Sequence, residues 1–250
     1  MDNLKLPNTL QVEHLVKSYG RKTVVKDVSF AMESGQIIGL LGPNGAGKTT
    51  MFYMIVGFIN SDEGTILLNN LDITKLPMYR RSKLGLAYLP QEPSIFRKLT
   101  VEDNIRLVAE AREGLDKAAV SRIVESLLEE FGLINVRKQH GYTLSGGERR
   151  RTEIARSLAC NPKFLLLDEP FAGIDPKAVY EIKLLIKALA KRNIGVLLTD
   201  HNVRDTLAIT HQSYIINEGE ILASGGKADL LANEEARRIY FGEDFSGGDG

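Results

Sequence analysis

Apolar residues recur at every second position in some stretches of the chain and at every third or fourth in others. LQVEHLVKSY and DVSFAME alternate apolar and polar residues, the pattern of half-buried antiparallel strands. QIIGLLG is nearly all apolar, which predicts a central strand covered on both faces. A helix is expected from Lys48 to about Phe58, and GTILLNNLDI returns to strand character. Past LGLAYLPQ the texture changes. Thr100 with Asp103 three residues on is a capping-box-like start leading into VEDNIRLVAEAR. AAVSRIVESLLEEFGL places Ile123, Val124, Leu127, Leu128 and Phe131 on one helical face and stops at Gly132, a favourable C-cap residue. Residues from about 92 to 160 therefore read as a helical block. Strand character resumes in KFLLLDEP and GVLLTDH, which flank the helix PKAVYEIKLLIKALAKR. SYIINEGEILASG reads as a hairpin turning at Glu218-Gly219; a short helix follows, then SGGDG, which composition marks as a frayed tail.

This order predicts an α/β fold of one domain, residues 1–245, with an N-terminal antiparallel β subdomain and an α-helical subdomain inserted at about 92–160, followed by a disordered tail at 246–250. The 250 residues suffice for one full domain and no second enzyme. Lys+Arg 32 against Asp+Glu 32 leaves a formal net charge of 0, so composition offers no electrostatic footprint for nucleic acid or an anionic membrane. The single cysteine, Cys160, excludes an internal disulfide, fits a reducing compartment and is expected to be a buried structural thiol. MDNLKLPNTLQVEHL carries charges where a secretory segment needs an apolar run, and no stretch approaches the ~18–20 apolar residues of a membrane span. The expectation is a soluble, cytoplasmic protein whose work at a membrane, if any, passes through partners that supply the spans.

GPNGAGKT, Gly42 to Thr49, matches G-x-x-x-x-G-K-[ST] between an apolar strand and a helix, the context that pattern requires. Backbone N–H groups of such a loop close around phosphates, Lys48 reaches the terminal phosphates, and the Thr49 hydroxyl ligates Mg²⁺. This makes the core a phosphate-loop NTPase. FLLLDEP ends an apolar strand in Asp168, placed beside that metal, and in Glu169, placed to orient or deprotonate an attacking water. His201 ends the strand LLTDH, where it is placed to hydrogen-bond the γ-phosphate, and Gln91 closes LGLAYLPQ at the same carboxyl edge, where its amide oxygen is placed to reach the metal. Tyr19, at the end of an early strand, offers a ring for stacking on a purine.

A second Gly-rich helix start, LSGGERRR, is also a ready anion site, yet it carries neither a Lys nor a metal ligand of its own. Taken in order, GPNGAGKT, Gln91, LSGGE, LLLDEP, AGID and His201 closely resemble the nucleotide-binding subunits of ATP-binding cassette (ABC) transporters, from Tyr19 to the C-terminal helix. The resemblance implies ATP and Mg²⁺ as ligands and ATP hydrolysis coupled to transport. It implies adenine stacking by Tyr19 and a phosphate loop of Gly42, Pro43, Asn44, Gly45, Ala46, Gly47, Lys48, Thr49 and Thr50. It gives Gln91 a metal and water contact, Ser145, Gly146 and Gly147 the signature motif, and Asp168 the metal-side carboxylate. Glu169 becomes the catalytic base, Asp175 an inter-subunit contact and His201 a γ-phosphate sensor. It further implies a head-to-tail homodimer in which each signature helix covers the nucleotide held by the other copy. PQEPSIFRKLT, DEPFAGIDP, TDHNVRDTL and the terminal YFGEDF narrow the resemblance to the ATPases of lipopolysaccharide exporters, and in that setting Phe96, Arg97 and Leu99 correspond to the groove that receives two transmembrane permease subunits. The importer ATPases, including those for branched-chain amino acids, remain an alternative, and the soluble ABC proteins of translation or repair are disfavoured by the single cassette and short insert. The arginines of GERRR are expected on a solvated or inter-subunit face. YFGEDF is expected to dock near the dimer interface.

Overall fold

A computed structural model describes residues 6–241; residues 242–245 of YFGEDF and the tail at 246–250 lie outside them. The strands β1 (Thr9–Tyr19) and β2 (Lys22–Glu33) pair as a hairpin, and β3 (Ile37–Leu41) leaves for a second sheet and feeds α1 (Lys48–Val56). The chain then returns through β4 (Glu63–Leu68) and β5 (Leu71–Asp72), which complete a first, antiparallel sheet of order β2-β1-β4-β5. After α2 (Met78–Lys83) and β6 (Leu86–Leu89) come three helices, α3 (Val101–Glu110), α4 (Lys117–Glu130) and α5 (Gly146–Leu158). The second sheet is finished by β7 (Phe164–Asp168), α6 (Pro176–Lys191), β8 (Gly195–Thr199), α7 (Val203–Leu207) and the hairpin β9 (Gln212–Asn217) and β10 (Glu220–Gly225), followed by α8 (Lys227–Ala232). Its order is β10-β9-β3-β8-β7-β6, parallel from β9 to β6 with β10 antiparallel at the edge.

The all-apolar strands are buried on both faces, and their side chains split between two cores. Leu165, Leu167, Val196 and Leu198 pack with Ile154, Ala155 and Leu158 of α5 and Ile182, Ile186 and Leu189 of α6. Leu166 and Leu197, one residue out of step, pack on the other face with Met51, Phe52 and Ile55 of α1 and with Leu10 and Val12 of β1. The apolar face of α4, Val120, Val124, Leu127 and Leu128 with Phe131 beyond it, joins the first of these cores, so the helical block shares its core with the sheet. Thr100 caps α3 by accepting from the Asp103 N–H at 3.1 Å, and Gly132, with φ +60°, follows the end of α4. Cys160 is half-buried against this core, and burial pushes its thiol up.

Two short helices, α2 and α7, are absent from the sequence reading. α2 carries Arg81, the largest fully buried side chain, where a polar run MYRRSK suggests none. Its guanidinium donates to the carbonyls of Met54 at 2.6 Å and Ile55 at 2.7 Å, the orphan groups at the end of α1, and to Leu76 and Thr74 at 2.7 and 2.8 Å. A Lys could not serve four carbonyls from one planar head. Burial lowers the Arg81 pKa to about 10.

The turn from β3 into the phosphate loop depends on one glycine. Gly42 has φ +146°, and a Cβ there would lie 2.1 Å from the Ile216 carbonyl oxygen on β9. Gly42→Ala is therefore expected to destabilise the fold by ~3 kcal/mol or more, because neither strand can retreat from a central sheet. Urea unfolding monitored by circular dichroism measures this.

Candidate functional site

The carboxyl ends of β3, β6, β7 and β8 lie side by side, and the loops that leave them enclose a cavity of about 430 Å³. The phosphate loop contributes Asn44, Gly45, Gly47, Lys48, Thr49 and Thr50 to its wall. Gln91, Glu169 and His201 come from the other three strand ends, joined by Thr199 and, from the antiparallel sheet, Lys22 and Val24. Gly42, Pro43 and Ala46 complete the loop without lining the cavity; Ala46 is buried beneath it.

Lys48 is buried, and its ammonium folds back onto the carbonyls of Gly42 at 2.7 Å and Pro43 at 2.9 Å. Burial lowers its pKa, against the opposing fields of Glu169 and Asp168. Glu169 sits at φ +45°, a left-handed setting that costs a non-glycine residue of order 1–3 kcal/mol and is typical of functional sites. Its two carboxylate oxygens are divided: the Gln91 amide donates to Oε2 at 2.5 Å, and His201 Nε2 lies 2.6 Å from Oε1. Two residues from neighbouring strand ends thus converge on the carboxylate of a third inside the cavity.

Asp168 lies just behind Glu169, 5% exposed, with one hydroxyl on each oxygen: Thr199 donates to Oδ1 at 2.7 Å and Tyr88 to Oδ2 at 3.3 Å. Burial, with the Asp168 field, pushes the Tyr88 hydroxyl up. Sequence reasoning finds neither hydroxyl, because both depend on strand register: Asp168 pairs with Thr199 across β7 and β8, and Tyr88 pairs with Leu166 across β6 and β7. Oxygen donors at this edge include the Thr49 hydroxyl and the Gln91 amide on the cavity wall, with the Asp168 carboxylate buried behind Glu169. Among the described residues no group of three or more His, Cys, Asp or Glu side chains is placed to hold a metal. Hard oxygen donors beside a phosphate loop suit Mg²⁺, which keeps most of its shell for phosphate and water.

Five of the residues singled out in the sequence stand away from this cavity. Tyr19 is half-exposed at the end of β1, with the Lys17 ammonium 5.7 Å from its ring centre. Asp175 caps α6 by accepting from the Ala178 N–H at 3.0 Å. Ser145, with Gly146 and Gly147 beside it, forms the start of α5, where Ser145 and Glu148 close a capping box. None of the five contributes to the cavity wall.

The arginines that follow correct the sequence reading. Arg150 is not on a solvated face: it is buried, and donates to the carbonyls of Pro90 at 2.9 Å and Asp168 at 3.1 Å. Burial lowers its pKa. Arg151 is half-buried and pairs with Glu181 of α6. Farther along α5, the Glu153 carboxylate accepts from the Ser94 and Ile95 N–H groups, and Arg156 donates to the Ser94 carbonyl and lies 5.0 Å over the Phe96 ring. Arg150, Glu153 and Arg156 thus form the seam between α5 and the segment around Gln91. Phe96 and Arg97 are exposed beyond that seam, and Leu99 is half-buried.

Residues 25–172 match the ABC transporter family model, more than half of the chain. The chain belongs to the ABC transporter family. This ABC protein is 50% identical to the lipopolysaccharide export system ATP-binding protein LptB of Escherichia coli K12 over 95% of its own length and 98% of that protein's. It is 51% identical to the LptB of Haemophilus influenzae, over 94% of this chain and 98% of that one. It is 52% identical to an uncharacterised ABC transporter ATP-binding protein of Rhizobium meliloti, over 98% and 91% of the respective lengths. The solved ADP conformation of an ABC transporter cassette superposes with a TM-score of 0.83 at 29% identity, covering 94% of this chain and 99% of that one. The ABC ATPase fold, a phosphate-loop α/β core with an antiparallel sheet beside it, is therefore the architecture of this chain.

Proposed function

We infer that this chain is the ATP-hydrolysing subunit of the ABC transporter that exports lipopolysaccharide. It works as a head-to-tail homodimer beneath two transmembrane permease subunits, peripheral on the cytoplasmic face of the inner membrane. The observation that carries this reading is the convergence of Lys48, Gln91, Glu169 and His201 on one cavity in a chain half identical, end to end, to lipopolysaccharide-export ATPases. Among the described residues no helix is long and apolar enough to cross a membrane, so the permeases must supply the spans.

The phosphate-loop amides and Lys48 bind and orient the terminal phosphates, and Thr49, Gln91 and Asp168 are the residues that would hold Mg²⁺. When bound, that ion offsets the negative charge on the transferring phosphoryl group. Glu169 accepts the proton of the attacking water on a lone pair that Gln91 and His201, one on each oxygen, leave free. Because Gln91 begins the loop that ends in Phe96, Arg97 and Leu99, a permease helix seated there acts on the same segment that holds the base. Copurification tests the assignment. The chain captured from detergent-solubilised membranes should bring down lipopolysaccharide-export permeases and hydrolyse ATP with them. Importer-type permeases instead would overturn it.

A further inference from the structure

Asp168 is held from both neighbouring strands, but the two holds differ in kind. Thr199 is buried on β8 directly across from Asp168, so its donation follows from strand register alone. Tyr88 is half-buried, and its ring stands edge-on to Phe58, with centroids 5.5 Å apart and planes at 84°. Phe58 in turn stands edge-on to Tyr53, 5.4 Å away at 88°. Tyr53 belongs to α1 and Phe58 lies just past its end, and they are 37% and 51% exposed. A row of three rings therefore runs from solvent to a carboxylate that is itself 5% exposed. Arg81, gripping the last carbonyls of α1, fixes the backbone on which the outer two rings stand.

We propose that Tyr88 is a positioning residue for Asp168, and that the exposed Phe58–Tyr53 pair sets the position of Tyr88. With one O–H on each oxygen the plane of the carboxylate is fixed, and its remaining lone pairs face a defined direction. The Tyr88 donor is the longer of the two and the only one whose place depends on side-chain packing, so it is the adjustable one. Edge-to-face rings hold a preferred angle, and a contact that tilts Phe58 tilts Tyr88 with it. The surface around Phe58 thereby controls how Asp168 presents its oxygens to the metal–nucleotide. This deepens the functional reading above and rests on Asp168 being the metal-side carboxylate.

The test uses the full chain carrying Glu169→Gln, which stops turnover and leaves Asp168 intact. Binding of a fluorescent ATP analogue is titrated with Mg²⁺, and separately in EDTA. Adding Tyr88→Phe keeps the ring and should raise the half-saturating Mg²⁺ concentration about tenfold, the usual worth of a hydrogen bond to a charged group. Adding Phe58→Ala should shift it about threefold in the same direction, and Phe58→Tyr, which restores a ring, should return it to the parent value. Binding in EDTA should stay at the parent value; a purely structural role would move it and leave the Mg²⁺ midpoint alone. An unchanged midpoint in Tyr88→Phe overturns the proposal, and a shift in Tyr88→Phe without one in Phe58→Ala overturns the link to the surface. A parent that shows no Mg²⁺ response at all overturns the assignment of Asp168 itself, so the two failures are told apart.

Discussion

Glu169→Gln is expected to cut ATP turnover by about 10²–10⁴-fold, the contribution of a positioned general base, while ATP still binds. The substitution preserves shape and one acceptor for Gln91 or His201, so the three strand ends stay together. What it removes is the capacity to take a proton from water, since an amide is not a base near neutral pH. Nucleotide contacts through the phosphate loop are untouched: Lys48 hydrogen-bonds the carbonyls of Gly42 and Pro43 and not Glu169. ATP that binds without being cleaved stabilises whichever assembly holds it. The variant should therefore elute as a dimer in ATP and as a monomer in ADP, and a steady-state phosphate-release assay should show the loss of turnover. Wild-type turnover in this variant would remove Glu169 from the base role and leave its left-handed backbone unexplained.

The sequence makes legible those parts of the site whose chemistry is contiguous. The phosphate loop, the Asp168-Glu169 pair and the strand-end positions of Gln91 and His201 are local patterns between recognisable strands, and the folded chain brings Lys48, Gln91, Glu169 and His201 to one cavity. Thr199 and Tyr88 are not legible, because what makes them matter is which residue of a neighbouring strand they face, and parallel register leaves no mark in either strand alone. Arg81 goes unnoticed and Arg150 is misread for a related reason. A charged residue in a polar run reads as solvated unless the buried carbonyls it will satisfy are known, and those lie 26 or more residues away in α1 for Arg81, and 60 and 18 away, at Pro90 and Asp168, for Arg150. Local periodicity also marks the apolar face of α4, yet hides that this face joins the sheet's core.

Two individually inactive variants are expected to restore each other. Gly146 sits in ordinary helical backbone, and a Cβ there would meet nothing nearer than Ile174 Cγ2 at 3.4 Å, so the chain's own packing does not demand glycine. Close approach by a ligand does. Yet the start of α5 is no part of its own chain's cavity wall. A ligand brought by a second copy would resolve both facts: in the head-to-tail dimer proposed above, α5 would meet the phosphates held by the partner's loop, which would supply the Lys and the metal ligands that LSGGERRR lacks. Gly146→Asp places a carboxylate at a helix N-terminus, where the dipole favours it, so the variant should fold; the same charge opposes the incoming phosphates. Its monomer should bind ATP normally while its dimer hydrolyses none. Lys48→Ala should lose phosphate binding and be equally inactive. In an equimolar mixture about half of the dimers pair one chain of each kind, and in these one of the two sites joins an intact loop to an intact helix start. Turnover should therefore recover to about a quarter of the wild-type value by random pairing of a two-fold assembly. Phosphate release measured before and after mixing decides it: a mixture as inactive as its components would place each site within a single chain.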